Sequence, residues 1–112
     1  MAYSVDIADS AKQEFRDALN YIALHYASPQ AMSNLTAAYE AALFAVQALP
    51  NGYGVNEEAC KATGHEIRRI RVKNYGLFYE VNEREKQVQI ISFLHAHQDI
   101  SWRVARDYEL LN

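Results

Sequence analysis

Arg68-Arg69-Ile70-Arg71-Val72-Lys73-Asn74-Tyr75-Gly76-Leu77-Phe78-Tyr79-Glu80-Val81 opens with four cationic side chains in six residues and closes on an apolar, aromatic run. At the two-residue period of a strand, Arg69, Arg71 and Lys73 share one face while Ile70 and Val72 share the other. One face can then pack on a core while the other presents a row of positive charge suited to an anion. The stretch predicts two strands, 65–72 and 75–82, joined by a tight link.

The pattern continues in both directions. Downstream, the polar Asn82-Glu83-Arg84-Glu85-Lys86 marks a hairpin tip before a third strand over 87–95. Its run Val88-Gln89-Ile90-Ile91-Ser92-Phe93-Leu94 is nearly all apolar, which predicts a central strand covered on both faces. Ile100 to Leu111 fits a terminal helix through Trp102, Ala105, Tyr108 and Leu111, with Trp102 and Tyr108 docking it on the sheet.

Upstream, residues 50–64 hold Asn51, Gly52, Gly54, Asn56 and Gly64 without a period, and read as a loop with one helical turn near Glu57–Lys61. Before it come two helices. Ala11, Phe15, Leu19, Ile22 and Tyr26 mark the first, from about 10 to 26, with Ser10 and Gln13 as a capping box. Ser28-Pro29 supplies a cap and a first-turn proline for the second. Its stripe is Leu35, Tyr39, Leu43, Val46 and Leu49, and Pro50-Asn51-Gly52 ends it. So short a turn makes the pair an antiparallel hairpin. Tyr3-Ser4-Val5-Asp6-Ile7 alternates as a short strand. The predicted order is β-α-α-β-β-β-α, an α+β fold in one domain over 1–112, with the hairpin on one face of an antiparallel-rich sheet.

Composition narrows the function classes. The chain has 112 residues, half of them hydrophobic, which is ample for one core. No apolar stretch approaches the roughly 20 residues that span a bilayer, and the N-terminus lacks the pattern of a signal peptide. Cys60 is the single cysteine, so no internal disulfide forms, and a reducing, cytoplasmic setting is expected. The net charge of −3 is unlike that of most nucleic-acid-binding domains, so polyanion contact must come from a local patch such as 68–73.

Other candidate groups are few. Histidine can serve as acid or base near neutral pH, so His95 and His97 suit proton transfer; their H-x-H spacing also permits two metal ligands, but spacing suggests no third. Tyr75 and Tyr79 suit stacking on bases, although packing explains them equally well. Glu57-Glu58 and Glu83/Glu85 read as solvated charge, and Cys60 as an incidental thiol in a loop.

The chain resembles the RelE/ParE toxins of type II toxin–antitoxin systems. The resemblance is carried by Tyr21-Ile22, Ser28-Pro29-Gln30-Ala31, Leu49-Pro50-Asn51-Gly52-Tyr53, Arg69 to Tyr75, Phe78-Tyr79-Glu80-Val81 and His95-Ala96-His97-Gln98-Asp99, in that order and spacing. It implies the fold read above and a cognate antitoxin that masks the active surface. RelE-like members cut messenger RNA in the ribosome, whereas ParE-like members poison DNA gyrase.

For RelE-like cleavage the resemblance implies Arg69 and Arg71 as phosphate-stabilising catalytic residues and His97 or His95 as the proton carrier. Arg68, Lys73, Tyr75 and Tyr79 would hold RNA or a partner, with no metal or cofactor. Arginine suits bidentate phosphate contact but is a poor general base. Gly76 stands where RelE-like nucleases tend to carry arginine, and the 95–99 ending looks more ParE-like. The expectation is a ribosome-dependent endoribonuclease acting on ribosome and mRNA. The alternatives are a ParE-like gyrase poison and a member that binds antitoxin without toxicity.

Overall fold

A computed structural model describes residues 3–111. Its elements are β1 (Ser4–Ile7), α1 (Asp9–Tyr26), α2 (Pro29–Ala48), a 3-10 turn (Pro50–Gly52), α3 (Glu57–Thr63), β2 (Arg68–Val72), β3 (Tyr75–Asn82), β4 (Gln87–His95) and α4 (Ile100–Glu109). The sheet order is β1-β4-β3-β2, with β1 parallel to β4 and the other pairs antiparallel.

The apolar pattern dictates the layers. On one face, the α1–α2 hairpin brings Leu35, Tyr39 and Val46 against Leu77, Tyr79, Ile90 and Phe93. Phe15 stacks on Tyr39 at 3.9 Å between ring centres, and both meet Phe93 edge-on. On the other face, Ala59 of α3 and Val104 of α4 cover Ile67, Phe78, Ile91 and Leu94. β4 is therefore central and buried on both faces, as its unbroken apolar run requires. A bulge leaves Ile91 without a partner across from it, because Phe78 pairs with Ser92 and Tyr79 with Ile90.

Local chemistry fixes the boundaries, and several differ from the sequence expectation. Ser28 caps α2 as predicted, its hydroxyl accepting the Ala31 N–H at 3.1 Å. Ser10 does not cap α1. That helix starts one residue earlier, at Asp9 after Ala8, and the Ser10 hydroxyl instead donates to the Ile91 carbonyl at 3.2 Å. The predicted loop contains a true helix, α3, capped by the Asn56 side chain and ended by Gly64 at φ +76°. Cys60 thus lies on a helix, where its sulfur accepts the Ile67 N–H at 3.2 Å. That bond holds Ile67 under α3, so β2 begins at Arg68 rather than at 65.

The docking of α4 also differs. Its buried positions are Val104 and Asp107, and Tyr108 reaches Glu80 through its hydroxyl at 2.9 Å. Trp102 falls off this stripe and remains 59% exposed.

Candidate functional site

The cationic row does not survive folding as one face. Lys73 sits in the β2–β3 turn at φ +56°, which turns it out of the pleat. Arg69 pairs with Phe78 and Arg71 with Gly76, so both project toward the face that α3 and α4 cover. The Arg69 guanidinium lies 5.9 Å from the Phe78 ring centre. Arg71 donates its Nε–H to the Lys73 carbonyl at 2.9 Å. Arg68 is tied down by the Tyr53 carbonyl at 2.6 Å and Glu66 at 3.3 Å.

Tyr79 presents no surface to a ligand. It is fully buried, and its hydroxyl donates to the Pro50 carbonyl at 2.7 Å. Burial pushes that phenol up to about 12. The expected base-stacking role therefore has no physical basis at this position. Tyr75 is half-buried, stacked on Phe93 at 4.8 Å with its edge against His95 at 5.2 Å. Burial raises its pKa, with smaller contributions from Tyr21 and Tyr26.

His95 ends β4 opposite Tyr75, on the hairpin side of the sheet. The N–H of His97 donates to His95 Nδ1 at 3.2 Å, and the two rings lie 5.1 Å apart. With Nδ1 accepting, a neutral His95 carries its proton on Nε2. That tautomer can donate outward but offers no free lone pair for taking a proton. His97 is exposed in the turn beyond the strand.

These residues gather on a groove of about 1070 Å³ between the α1–α2 hairpin, the end of the sheet and α4. Lys73, Tyr75, His95 and His97 line one side, Tyr21 and Tyr26 the other, and Arg103 and Arg106 come from α4. The structure thus unites four of the expected residues and leaves Arg69 and Arg71 behind the sheet from His95. Sequence reasoning missed Arg103, Arg106, the half-buried acid Glu14 and the buried acid Asp107. One signal was present: Asp107 stands three residues after Val104 on the apolar stripe of α4. Among the described residues, no three His, Cys, Asp or Glu side chains gather as a metal site, and no helix is long and apolar enough to cross a membrane.

Comparison with known proteins decides the family. A family model described as "ParE toxin of type II toxin-antitoxin system, parDE" matches residues 5–100. The chain belongs to this toxin family. No curated protein matches it. The fold is shared with a mutant of the E. coli toxin RelE solved in the free state: TM-score 0.58 and 19% identity, over 96% of this chain and 98% of that one. As a toxin of a type II pair, the protein has an antitoxin as partner.

Proposed function

We propose that this ParE-family toxin acts by binding its target, DNA gyrase, through the groove at the end of the sheet rather than by cutting RNA. The observation that carries the reading is the placement of the charges. Phosphoryl transfer needs cations and a proton carrier on the same reacting atoms. Here Arg69 and Arg71 stand on one face of the sheet and His95 on the other. A binding surface has no such requirement. The groove offers what an interface core uses: aromatic rings at Tyr21, Tyr26 and Tyr75 within a rim of cations. The match to the ParE model and the ParE-like ending at 95–99 support the same reading.

A second reading, ribosome-dependent cleavage of mRNA, is favoured by one observation. His95 and His97 lie together beside Lys73 on the groove. There His97, exposed and unfixed by the Nδ1 contact, would move the proton, and Lys73 with Arg103 would face the phosphate.

Cell-free translation with the purified protein, followed by primer extension of the message, separates the two. The binding reading expects intact message. Discrete new ends that form only with ribosomes present would overturn it in favour of cleavage.

A further inference from the structure

Glu14 and Arg106 of the groove lining belong to a polar cluster that reaches back to Asp107, buried beneath α4. It originates in a mismatch of strand lengths. β1 ends at Ile7 opposite Ile90, whereas β4 runs on to His95. The backbone groups along the remaining edge of β4 need partners, and side chains supply them. Ser10 donates to the Ile91 carbonyl, Gln98 accepts the His95 N–H at 2.7 Å, and Glu14 Oε1 accepts the Phe93 N–H at 2.9 Å.

Glu14 is thereby held against a second carboxyl. Asp107 on α4 is fully buried; its Oδ2 accepts the Ser92 hydroxyl at 2.6 Å. Its Oδ1 accepts Arg106 Nη2 at 3.1 Å and Nε at 3.3 Å, and Glu14 Oε2 takes the same Nη2 at 3.3 Å. Both carboxyl groups therefore meet at one guanidinium nitrogen. Carboxylates have no donor of their own, so the two can bond to each other only while one of them carries a proton. A single half-exposed arginine cannot fully offset the repulsion between a fully buried carboxylate and a largely buried one that share it.

We propose that Glu14 and Asp107 share one proton, and that this proton fastens α4 to α1 and β4, making the groove wall that bears Arg103 and Arg106 a pH-sensitive latch. Among the described residues, the charged groups acting on Glu14 are Asp107 and Arg106, both from α4. β4 contributes the Ser92 hydroxyl and the Phe93 N–H. On α1 the next acid, Asp17, is engaged by Gln13 at 2.8 Å. Burial first, and then the hydrogen bond that a protonated Glu14 gives to Asp107, push Glu14 up to about 9; the Phe93 N–H and Arg106 pull the other way. The folded value lies above the ordinary 4.5, so the stabilisation is complete below pH 4.5 and is lost as pH rises through about 9.

Trp102 is the sole tryptophan and lies on α4, its ring centre 5.3 Å from the Arg106 guanidinium. Its fluorescence in the full chain, followed from about pH 6 to about pH 10, reads the latch directly. The expected result is a transition centred near 9 in the wild type, lost in Glu14→Gln, whose amide still accepts from Phe93 and donates to Asp107 without a proton to lose. Carbon-13 NMR of the glutamate carboxyls in the wild type tests the same point without a variant: one resonance should titrate several pH units above the others. A wild type with no alkaline transition, an unchanged transition in Glu14→Gln, or glutamates that all titrate in the ordinary range would overturn the latch.

Discussion

Arg69 lies across Gly76: its guanidinium carbon comes within 2.9 Å of the place a Cβ would occupy, and Nη2 within 3.0 Å. The cation that a side chain at 76 would supply is replaced in space by one from the neighbouring strand. The two positions must therefore be energetically coupled. Gly76→Ala should cost about 1 kcal/mol in the wild type, because the Arg69 head has to leave the Phe78 ring. In an Arg69→Ala background the same change should stabilise by about 0.5–1 kcal/mol, the ordinary gain of replacing a strand glycine. Chemical denaturation of the four proteins checks this; strict additivity would show that the two residues do not compete for the space.

Tyr79→Phe removes the hydroxyl that donates to the buried Pro50 carbonyl. The loss should be about 1–3 kcal/mol, the penalty for leaving a buried acceptor unpaired. Thermal unfolding measures it. An unchanged Tm would mean that water reaches Pro50.

Ser92→Ala leaves Asp107 Oδ2 without its donor inside the core. A bond to a charged acceptor is worth about 1.5–3 kcal/mol, and the loss should appear in the melting of α4, followed through Trp102. A melt indistinguishable from wild type would place Asp107 outside the energetics of the α4 contact.

Glu83 responds to pH in the opposite sense to Glu14. Hydrogen bonds from Asn51 at 2.7 Å, Lys86 at 3.1 Å and Tyr3 at 2.9 Å hold its exposed carboxylate down at about 2. Its folded value lies below the ordinary 4.5, so its contribution is present above pH 4.5 and is lost as pH falls toward 2. Glu83→Gln should flatten the acid limb of the stability curve between those values while leaving the alkaline limb unchanged. An acid limb that keeps its wild-type slope would remove Glu83 from the account.

The fold was legible because its signals are repeated and local. The apolar run of β4, the Ser28-Pro29 start and the arginine-rich β2 each have a period or cap that only one element satisfies. The site was less legible because it depends on the third dimension. Alternation places Arg69 and Arg71 correctly on one face, but the positive φ of Lys73 in the turn breaks the row one residue later. Nothing local to Tyr79 reveals that Pro50, 29 residues away, takes its hydroxyl. Glu14 reads as one more solvated acid on an amphipathic helix until the length of β1 leaves a gap that it fills.

A binding mechanism also predicts tolerance at the histidines. His95→Ala with His97→Ala should keep growth inhibition within about tenfold of wild type, whereas loss of a general acid or base costs about 10²–10⁴-fold. Complete loss of toxicity in a folded double variant would favour catalysis.

The most direct measurement is DNA gyrase supercoiling of relaxed plasmid, with and without the purified toxin. Binding to gyrase through the groove predicts that supercoiling falls as toxin is added, and that Tyr75→Ala, which removes the ring between Phe93 and His95, weakens the effect. Full supercoiling at a large excess of folded toxin would contradict the account.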